Sequence, residues 1–397
     1  MGASVLPTEV WERVIDWVPY YEHRKDSRNT LYACSLVCRS WVHRSQFHLF
    51  VRIELSNTRQ ANSFIDILAH SPVIASGLRV LIISPSRSKA KPMEKIPSCF
   101  YNWIYVVLAT LPPLLPHLEA LEFRGLPILH PNFILMASRF KTIRRLRLHN
   151  IVYQSFSEII RLINRFSLLQ TLEVYNVQWN QPSSCYPSKR HRIKELISGP
   201  DNGCQSDMLN WMCSSQSIVA LHSLKLHAVD VLLVPTLNTI LHLCMRSLQT
   251  LAIHFTSGIP DNLALPGFAG HLALKSLDLR NIPFQALVTF LSRPTQAIPS
   301  GIRVLQVSLR PAKYEATFDT KNQPDWRKID QALKNRKLEH LDALVIWTTP
   351  VKGGDALYEN IRIACEGALP KAFESGVLCW GNLNTRFGAI FYLVTCV

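Results

Sequence analysis

The sequence predicts an α/β protein built from repeated strand and helix units on a parallel sheet, with a short helical module ahead of them. Three observations carry this expectation. One apolar phrase returns at a near-constant interval over most of the chain, segments of helical periodicity lie between its copies, and residues 1–55 follow neither pattern.

The phrase is Leu-x-x-Leu-x-Leu or a close variant. It occurs as LRVLIIS (78–84), LEALEFRGL (118–126), IRRLRLHNI (143–151), LQTLEVYNV (169–177), LHSLKLHAV (221–229), LQTLAIHFT (248–256), LKSLDLRNI (274–282), IRVLQVSL (302–309) and LDALVIW (341–347). Measured at the middle leucine, the steps from Leu121 are 25 to Leu146, 26 to Leu172, 52 to Leu224, 27 to Leu251, 26 to Leu277 and 28 to Leu305. The double step predicts a hidden copy, and IKELISG (193–199) places Leu196 near its midpoint. Alternation at period two makes the phrase a strand: its second and third leucines turn inward, and the residues between and after them face the open side.

Between the phrases lie candidate helices. SFSEIIRLINRF (155–166) opens with Ser155 and Glu158 at capping-box spacing and sets Ile159, Leu162, Ile163 and Phe166 on one stripe. PFQALVTFL (283–291) starts at Pro283 and shows Phe284, Leu287, Val288 and Leu291 at the same spacing. Strand, helix and strand in repetition require crossovers, hence a parallel sheet.

A unit of this kind recurring every 25 to 28 residues resembles the leucine-rich repeats. The resemblance implies a curved α/β solenoid over residues 56–397, with roughly ten irregular repeats and a C-terminal cap after about residue 348. GNLNTRFGAIFYLVTCV, from residue 381, is the expected closing segment, because the last repeat otherwise leaves an apolar edge in water. Repeats of that family carry Asn or Cys at the ninth position of the phrase; here it holds Leu126, Ile151, Val177, Val229 and Ile282. Asn150, Asn176 and Asn281 stand one place earlier and are candidate turn residues, so an irregular arc is expected.

The first 55 residues read as two or three short helices. LPTEVWERVIDWV sets Val10, Trp11, Val14, Ile15, Trp17 and Val18 around one helix, and TLYACSLVCRSWVHRS sets Leu31, Cys34, Val37, Cys38 and Trp41 at helical steps. These apolar residues are too many for one narrow stripe, so part of the surface should seek a partner. The charged segment PYYEHRKDSRN (19–29) between them reads as an exposed loop.

The order LP (Leu6, Pro7), Glu9-Val10, Ile15, CSLVCRSW (34–41) and LF (Leu49, Phe50) before VRIEL resembles the F-box of fungal F-box proteins, the module by which substrate receptors of SCF ubiquitin ligases dock on a Skp-family adaptor. The resemblance implies that Leu6, Pro7, Val10, Ile15, Leu36, Val37, Cys38, Trp41, Leu49 and Phe50 form the adaptor-binding surface or the core of the module. It also implies partnership with a cullin ligase and a protein client, without a cofactor. Cys34 and Cys38 raise a zinc or redox question, but no second Cys or His pair stands at ligand spacing nearby, and they read as packing residues.

The residue after each strand's last inward leucine forms a column: Ser84, Arg124, His149, Tyr175, His227, His254, Arg280, Ser308 and Trp347. Arg, Tyr and Trp are the residue types that carry binding energy, so Arg124, His149, Tyr175, His227, His254, Arg280 and Trp347 are the candidate client-binding residues; a solvated sheet face is the alternative. His227 and His254 on adjacent rungs raise a metal question, which the neighbouring column of Lys225, Ala252 and Asp278 does not support.

Composition bounds the rest. Of 397 residues, 43 are basic and 28 acidic, a net +15; residues 61–200 alone hold 17 against 7. Such a field favours acidic partners, and a binder of nucleic acid or another anionic surface is the rival expectation; membranes are not an expected partner. SKRHRIK (188–194) is either a nuclear address, an anion-binding loop or a solvated loop. No cationic start leads into an apolar run, the ten cysteines form no Cys-x2-Cys pair, and no Asn-x-Ser/Thr sequon occurs, so a reduced cytoplasmic or nuclear setting is expected. Nucleophile elbows, phosphate-cradling glycine runs and His-Glu-x-x-His helices are absent, so no enzyme is expected.

Overall fold

The structure is a computed structural model and describes residues 7–21, 24–85, 102–126, 131–181, 191–200, 205–256, 260, 268, 270–283, 286–287, 289–290, 301–309, 343–348 and 378–382. Leu6 and the closing segment beyond residue 382 lie outside them. The chain forms two compact units, residues 1–169 with 176–183, and residues 170–175 with 184–397. Among the described residues, no helix is long and apolar enough to cross a membrane.

The first unit opens with three helices, α1 (Thr8–Tyr21), α2 (Arg24–Val37) and α3 (Arg39–Phe50). The loop expected over 19–29 is largely helical instead. Pro19 is accommodated in the last turn of α1, and α2 begins at Arg24, because a run of Arg, Lys and Ser serves as well on a solvated helix as in a loop. The single helical face expected for Cys34, Cys38 and Trp41 is also corrected. Cys38 is extended (φ −159°, ψ 163°) and breaks the chain between α2 and α3, so its side chain leaves the face that carries Cys34.

Strand β1 (Arg52–Leu55) follows, then α4 (Thr58–His70) and α5 (Pro72–Gly77), β2 (Val80–Ile83), α6 (Asn102–Leu114), β3 (Ala120–Arg124), α7 (Pro131–Ala137), β4 (Arg145–Ser155) and α8 (Phe156–Arg165). Strands β1 to β4 pair in chain order, all parallel. Asn57 caps α4 by accepting from the Gln60 backbone N–H, and Ala61, Phe64 and Leu68 turn that helix inward. Helix α8 buries Phe156, Ile159, Ile160, Leu162 and Ile163. Ser155 occupies its N-cap, but the expected capping box is not made: the Ser155 side chain makes no cap bond, and the Glu158 carboxylate accepts instead from the N–H of Gln154, one residue before the cap, at 3.2 Å.

The second unit holds β5 (Thr171–Gln181, whose residues from Asn176 belong to the first unit), β6 (Glu195–Ser198), α9 (Gln205–Ser214), β7 (Ser223–Val229), α10 (Val234–Cys244), β8 (Thr250–Phe255), β9 (Ser276–Ile282), β10 (Val304–Leu309), β11 (Ala343–Thr348) and β12 (Leu378–Asn382). These strands too pair in chain order and in parallel. Between β9 and β10 the described residues 286–287 and 289–290 are helical, with Ala286, Leu287 and Phe290 buried.

The leucine phrase sets the register. In the first unit Ile53, Leu81, Leu121 and Leu146 stand side by side; in the second, Leu172, Leu196, Leu224, Leu251, Leu277, Leu305, Leu344 and Leu378 do. Leu196 thus fills the rung that the double step left open. Burial of each such leucine contributes about 1.5–3 kcal/mol, so a one-residue slip would turn the whole set out of the core.

The candidate turn asparagines do what their position suggested. Gly125, Asn150, Asn176, Ala228 and Asn281, all at the eighth place of the phrase, have φ of 59°, 53°, 48°, 57° and 61°. This left-handed step returns the ninth residue to the core, where Ile151, Val177, Val229 and Ile282 are fully buried. Two of these asparagines also bond to the preceding copy of the phrase: the Asn176 amide donates to the Asn150 Oδ1, and the Asn281 amide to the Phe255 carbonyl, each at 2.8 Å. Ala228 has only a Cβ to oppose the same conformation. Ala228→Gly should therefore raise the unfolding free energy by about 0.5–1 kcal/mol in urea titrations, the relief at φ outweighing the added chain entropy. A neutral or negative change would mean that Ala228 carries no strain.

Candidate functional site

The three-helix segment separates into a core and a surface. Ile15 and Leu31 are buried at 1% and 3% exposure, and the Trp11 and Trp41 rings meet at 5.2 Å. Ile15 therefore belongs to the core, not to a docking face. An ion-pair cluster ties α1 to α3: Arg44 donates from Nε and Nη2 to the two Asp16 oxygens at 2.5 and 2.6 Å, and His48 Nε2 lies 2.7 Å from Oδ1. The Arg44 hydrogen bond is the main cause holding the Asp16 carboxyl below its usual pKa.

Against that core, the same helices leave Val10, Val14, Trp17, Tyr32, Leu36, Val37 and Phe47 between 40% and 69% exposed. Leu36 and Val37 end α2, immediately before the break at Cys38. Cys38 is exposed rather than packed, its thiol 3.0 Å from the Ser40 hydroxyl, which lowers the thiol pKa. Pro7 is exposed and its carbonyl accepts from the Val10 N–H at 3.0 Å, starting α1; Trp41, Leu49 and Phe50 are half-buried.

On the open sheet face of the first unit, the expected column places Arg124 beside His149 in register. Its centre, however, is a residue that the sequence reading passed over. Glu122 is 1% exposed, and it accepts from Arg124 Nε at 2.5 Å and from Arg52 Nη2 at 3.0 Å; Arg147 Nη1 lies at 3.7 Å and His149 Nε2 at 3.9 Å. Arg147 stands directly across from Glu122 on β4, and Arg52 reaches over β2. Burial, ahead of the pull of Glu122, lowers the His149 pKa, so its imidazole is neutral near pH 7.

In the second unit the column continues through His254, Arg280, Ser308 and Trp347, in register on adjacent strands; the Trp347 side chain lies outside the described residues. The His227 and His254 rings meet edge to face at 4.1 Å, and Tyr175 is 6.5 Å from His227. Tyr175 lies over Gly199, where an added Cβ would come within 2.3 Å of its ring. Asp278 anchors the group: Arg280 Nε donates to its two oxygens at 3.1 and 3.0 Å, Nη2 lies at 2.9 Å, and His254 Nε2 at 3.7 Å. Among the described residues no group of three or more His, Cys, Asp or Glu side chains could hold a metal ion.

Burial, helped by His254 and Arg280, pushes the His227 pKa down to about 4. An unfolded histidine titrates near 6.5, so between those values the unfolded chain binds more protons, and stability falls as the pH is lowered through this window. His227 is half-buried. Its share, discounted for solvent screening, is about 1 kcal/mol between pH 7 and pH 4. Denaturation of the intact chain and of His227→Gln over this range should show the shallower loss in the variant; parallel curves would remove His227 as the cause.

Comparison with models of known protein families finds no match, and comparison with curated proteins finds none either. Glu122 and Arg147, which the pattern in the sequence did not single out, lie between the two inward apolar residues of their phrases, where a charge is usually solvated. Pairing them required the register across strands.

Proposed function

We propose that this chain is a non-catalytic substrate-recognition subunit of an SCF-type ubiquitin ligase, acting in the cytoplasm or nucleus. Its F-box-like helices dock a Skp-family adaptor, and the open face of a leucine-rich-repeat-like solenoid holds a protein client. The observation that carries the reading is the division within the motif-bearing helices, where Ile15 and Leu31 close a core while Val10, Trp17, Leu36 and Val37 stay at the surface. Large apolar side chains kept in water on so short a segment are the mark of a docking face.

The mechanism is proximity. A client held near a charged ubiquitin-conjugating enzyme meets it at raised effective concentration, and no acid, base or nucleophile is asked of this chain. Arg124, His149, Tyr175, His227, His254, Arg280 and Trp347 are the proposed client contacts, with Glu122 and Asp278 holding the arginines in place.

Co-expression with a Skp-family adaptor followed by size exclusion tests the proposal. A stoichiometric complex that survives moderate salt is expected, since its contacts are apolar; failure of the unmodified chain to bind would remove the ligase reading. The rival, a nucleic-acid binder, predicts affinity for DNA or RNA that falls steeply with salt.

A further inference from the structure

The strand-entry edge of the first unit carries a small cleft of about 170 Å³, half open to solvent. Its charged residues are Arg79, Glu119 and Arg144, which immediately precede β2, β3 and β4; Thr142, His117, Pro116 and Leu168 complete the lining. The backbone fixes the spacing of the three. The Glu119 N–H donates to the Arg79 carbonyl at 2.9 Å, and the Arg144 N–H to the Glu119 carbonyl at 2.8 Å. The cleft shares no residue with the docking helices or with the open-face column.

Two of these side chains are held by bonds of their own. Arg79 Nη1 donates to the Ser76 and Leu78 carbonyls at 2.5 and 3.2 Å, and its Nε lies 3.6 Å from Glu119 Oε1, so the guanidinium is fixed with Nη2 left over. Thr142 Oγ1 donates to the Leu118 carbonyl at 2.6 Å; with its proton so used, it can only accept from a ligand. Arg144 is exposed and makes no side-chain hydrogen bond or ion pair among the described residues. Leu168 is 48% exposed. The cleft thus offers guanidinium donors, two acceptors in Glu119 and Thr142, and an apolar wall from Leu168 and Pro116.

We infer that this cleft holds the C-terminal residue of a protein chain that ends in an apolar side chain. A chain end presents the three matching features on one residue: a carboxylate for Arg79 and Arg144, a backbone N–H for Glu119 or Thr142, and a side chain for Leu168. An internal Asp or Glu brings the carboxylate without the apolar group. A phosphate brings neither the N–H nor the apolar group. Size points the same way, because 170 Å³ is well below the roughly 300–1,000 Å³ of sites that enclose a drug-sized ligand, and the open side lets the rest of the chain leave. The inference goes beyond the proposed function and does not rest on it, since capture of a chain end needs no adaptor.

The test uses the full chain and fluorescein-labelled octapeptides of one Gly-Ser sequence ending in Val, Leu, Ile or Phe, followed by anisotropy. Binding of at least one free-acid peptide is expected, and its C-terminal amide should bind at least about tenfold more weakly, having lost the charged acceptor. The same peptide ending in Asp amide, which keeps a carboxylate without the apolar end, should bind no better than the amide. Arg144→Gln should weaken the acid peptide by about tenfold, and Leu168→Ser by about fivefold. Arg161→Gln, an equal loss of charge at an exposed position of α8, should leave it within about twofold. Thermal melts of all three variants should match the parent, as every altered side chain is exposed.

No binding by any free-acid peptide, equal binding of acid and amide, or equal weakening by Arg144→Gln and Arg161→Gln would overturn the inference. Isocaproate has the carboxylate and the aliphatic end of a leucine but no backbone N–H. If it displaces the peptide as well as acetyl-leucine does, the chain-end reading is overturned in favour of a free carboxylic acid. Adaptor binding is measured separately, so its failure bears on the proposed function alone.

Discussion

Leu36→Asp together with Val37→Asp is expected to abolish capture of the Skp-family adaptor while leaving the rest of the chain folded. The two residues are 69% and 63% exposed at the end of α2, so an aspartate at either site meets water in the free protein and costs little stability. In a complex the same positions would be desolvated. Two carboxylates left unpaired in an apolar interface cost several kcal/mol each, enough to erase a micromolar affinity of about 8 kcal/mol. Circular dichroism and the melting profile of the variant should match the parent, while co-purification with the adaptor is lost. Retention of the adaptor would move the docking face off the end of α2. Ile15→Asp is the contrast: with 1% exposure its carboxylate would enter the helical core, so adaptor loss there would come with unfolding of the segment.

Removing the carboxylate of Glu122 should be the most damaging polar change on the sheet. Glu122→Gln keeps the shape of the side chain but leaves Arg52, Arg124 and Arg147 converging on a neutral group. Removal of one partner from a buried ion pair costs about 3–5 kcal/mol; because the arginine side chains are 25–33% exposed, about 2–3 kcal/mol is expected here. Two further results identify the cause. Adding Arg147→Gln to the variant should recover part of the loss, and salt should shrink the deficit by screening the remaining guanidiniums. If Glu122→Gln shifts the denaturation midpoint by no more than a surface substitution does, the carboxylate is not what holds these arginines.

Much of the sheet was legible in the amino-acid sequence because one physical rule acts at every rung. A buried leucine column demands constant spacing, and arithmetic along the sequence alone places Leu196. The eighth-place asparagines were legible for a related reason, since few residues other than glycine enter the left-handed region cheaply. Strand β12 was not, because LCWGN has one leucine where the phrase has three, and its pairing depends on β11.

The helical segment was harder. Cys34, Cys38 and Trp41 fit helical steps, yet periodicity cannot show a one-residue break, and the extended backbone at Cys38 left no mark in the pattern. Charged residues at 19–29 suggested a loop for want of apolar spacing, but a helix exposed along its length needs none. The ion clusters at Glu122 and Asp278 were hidden in part: Arg124 and Arg280 stand two residues from their carboxylates on the same strand, but Arg147 and His254 lie 25 and 24 residues away and Arg52 lies 70, and only a known register brings those together.

Within each unit every strand finds its hydrogen-bonded neighbours next to it in chain order, and this bears on how the protein is made. A coil emerging from the ribosome needs only the one synthesised just before it, so assembly can proceed vectorially from the amino end and no edge waits for a distant segment. Each newly finished strand is itself the exposed template for the next, and a pause in translation would hold that template open until synthesis resumed.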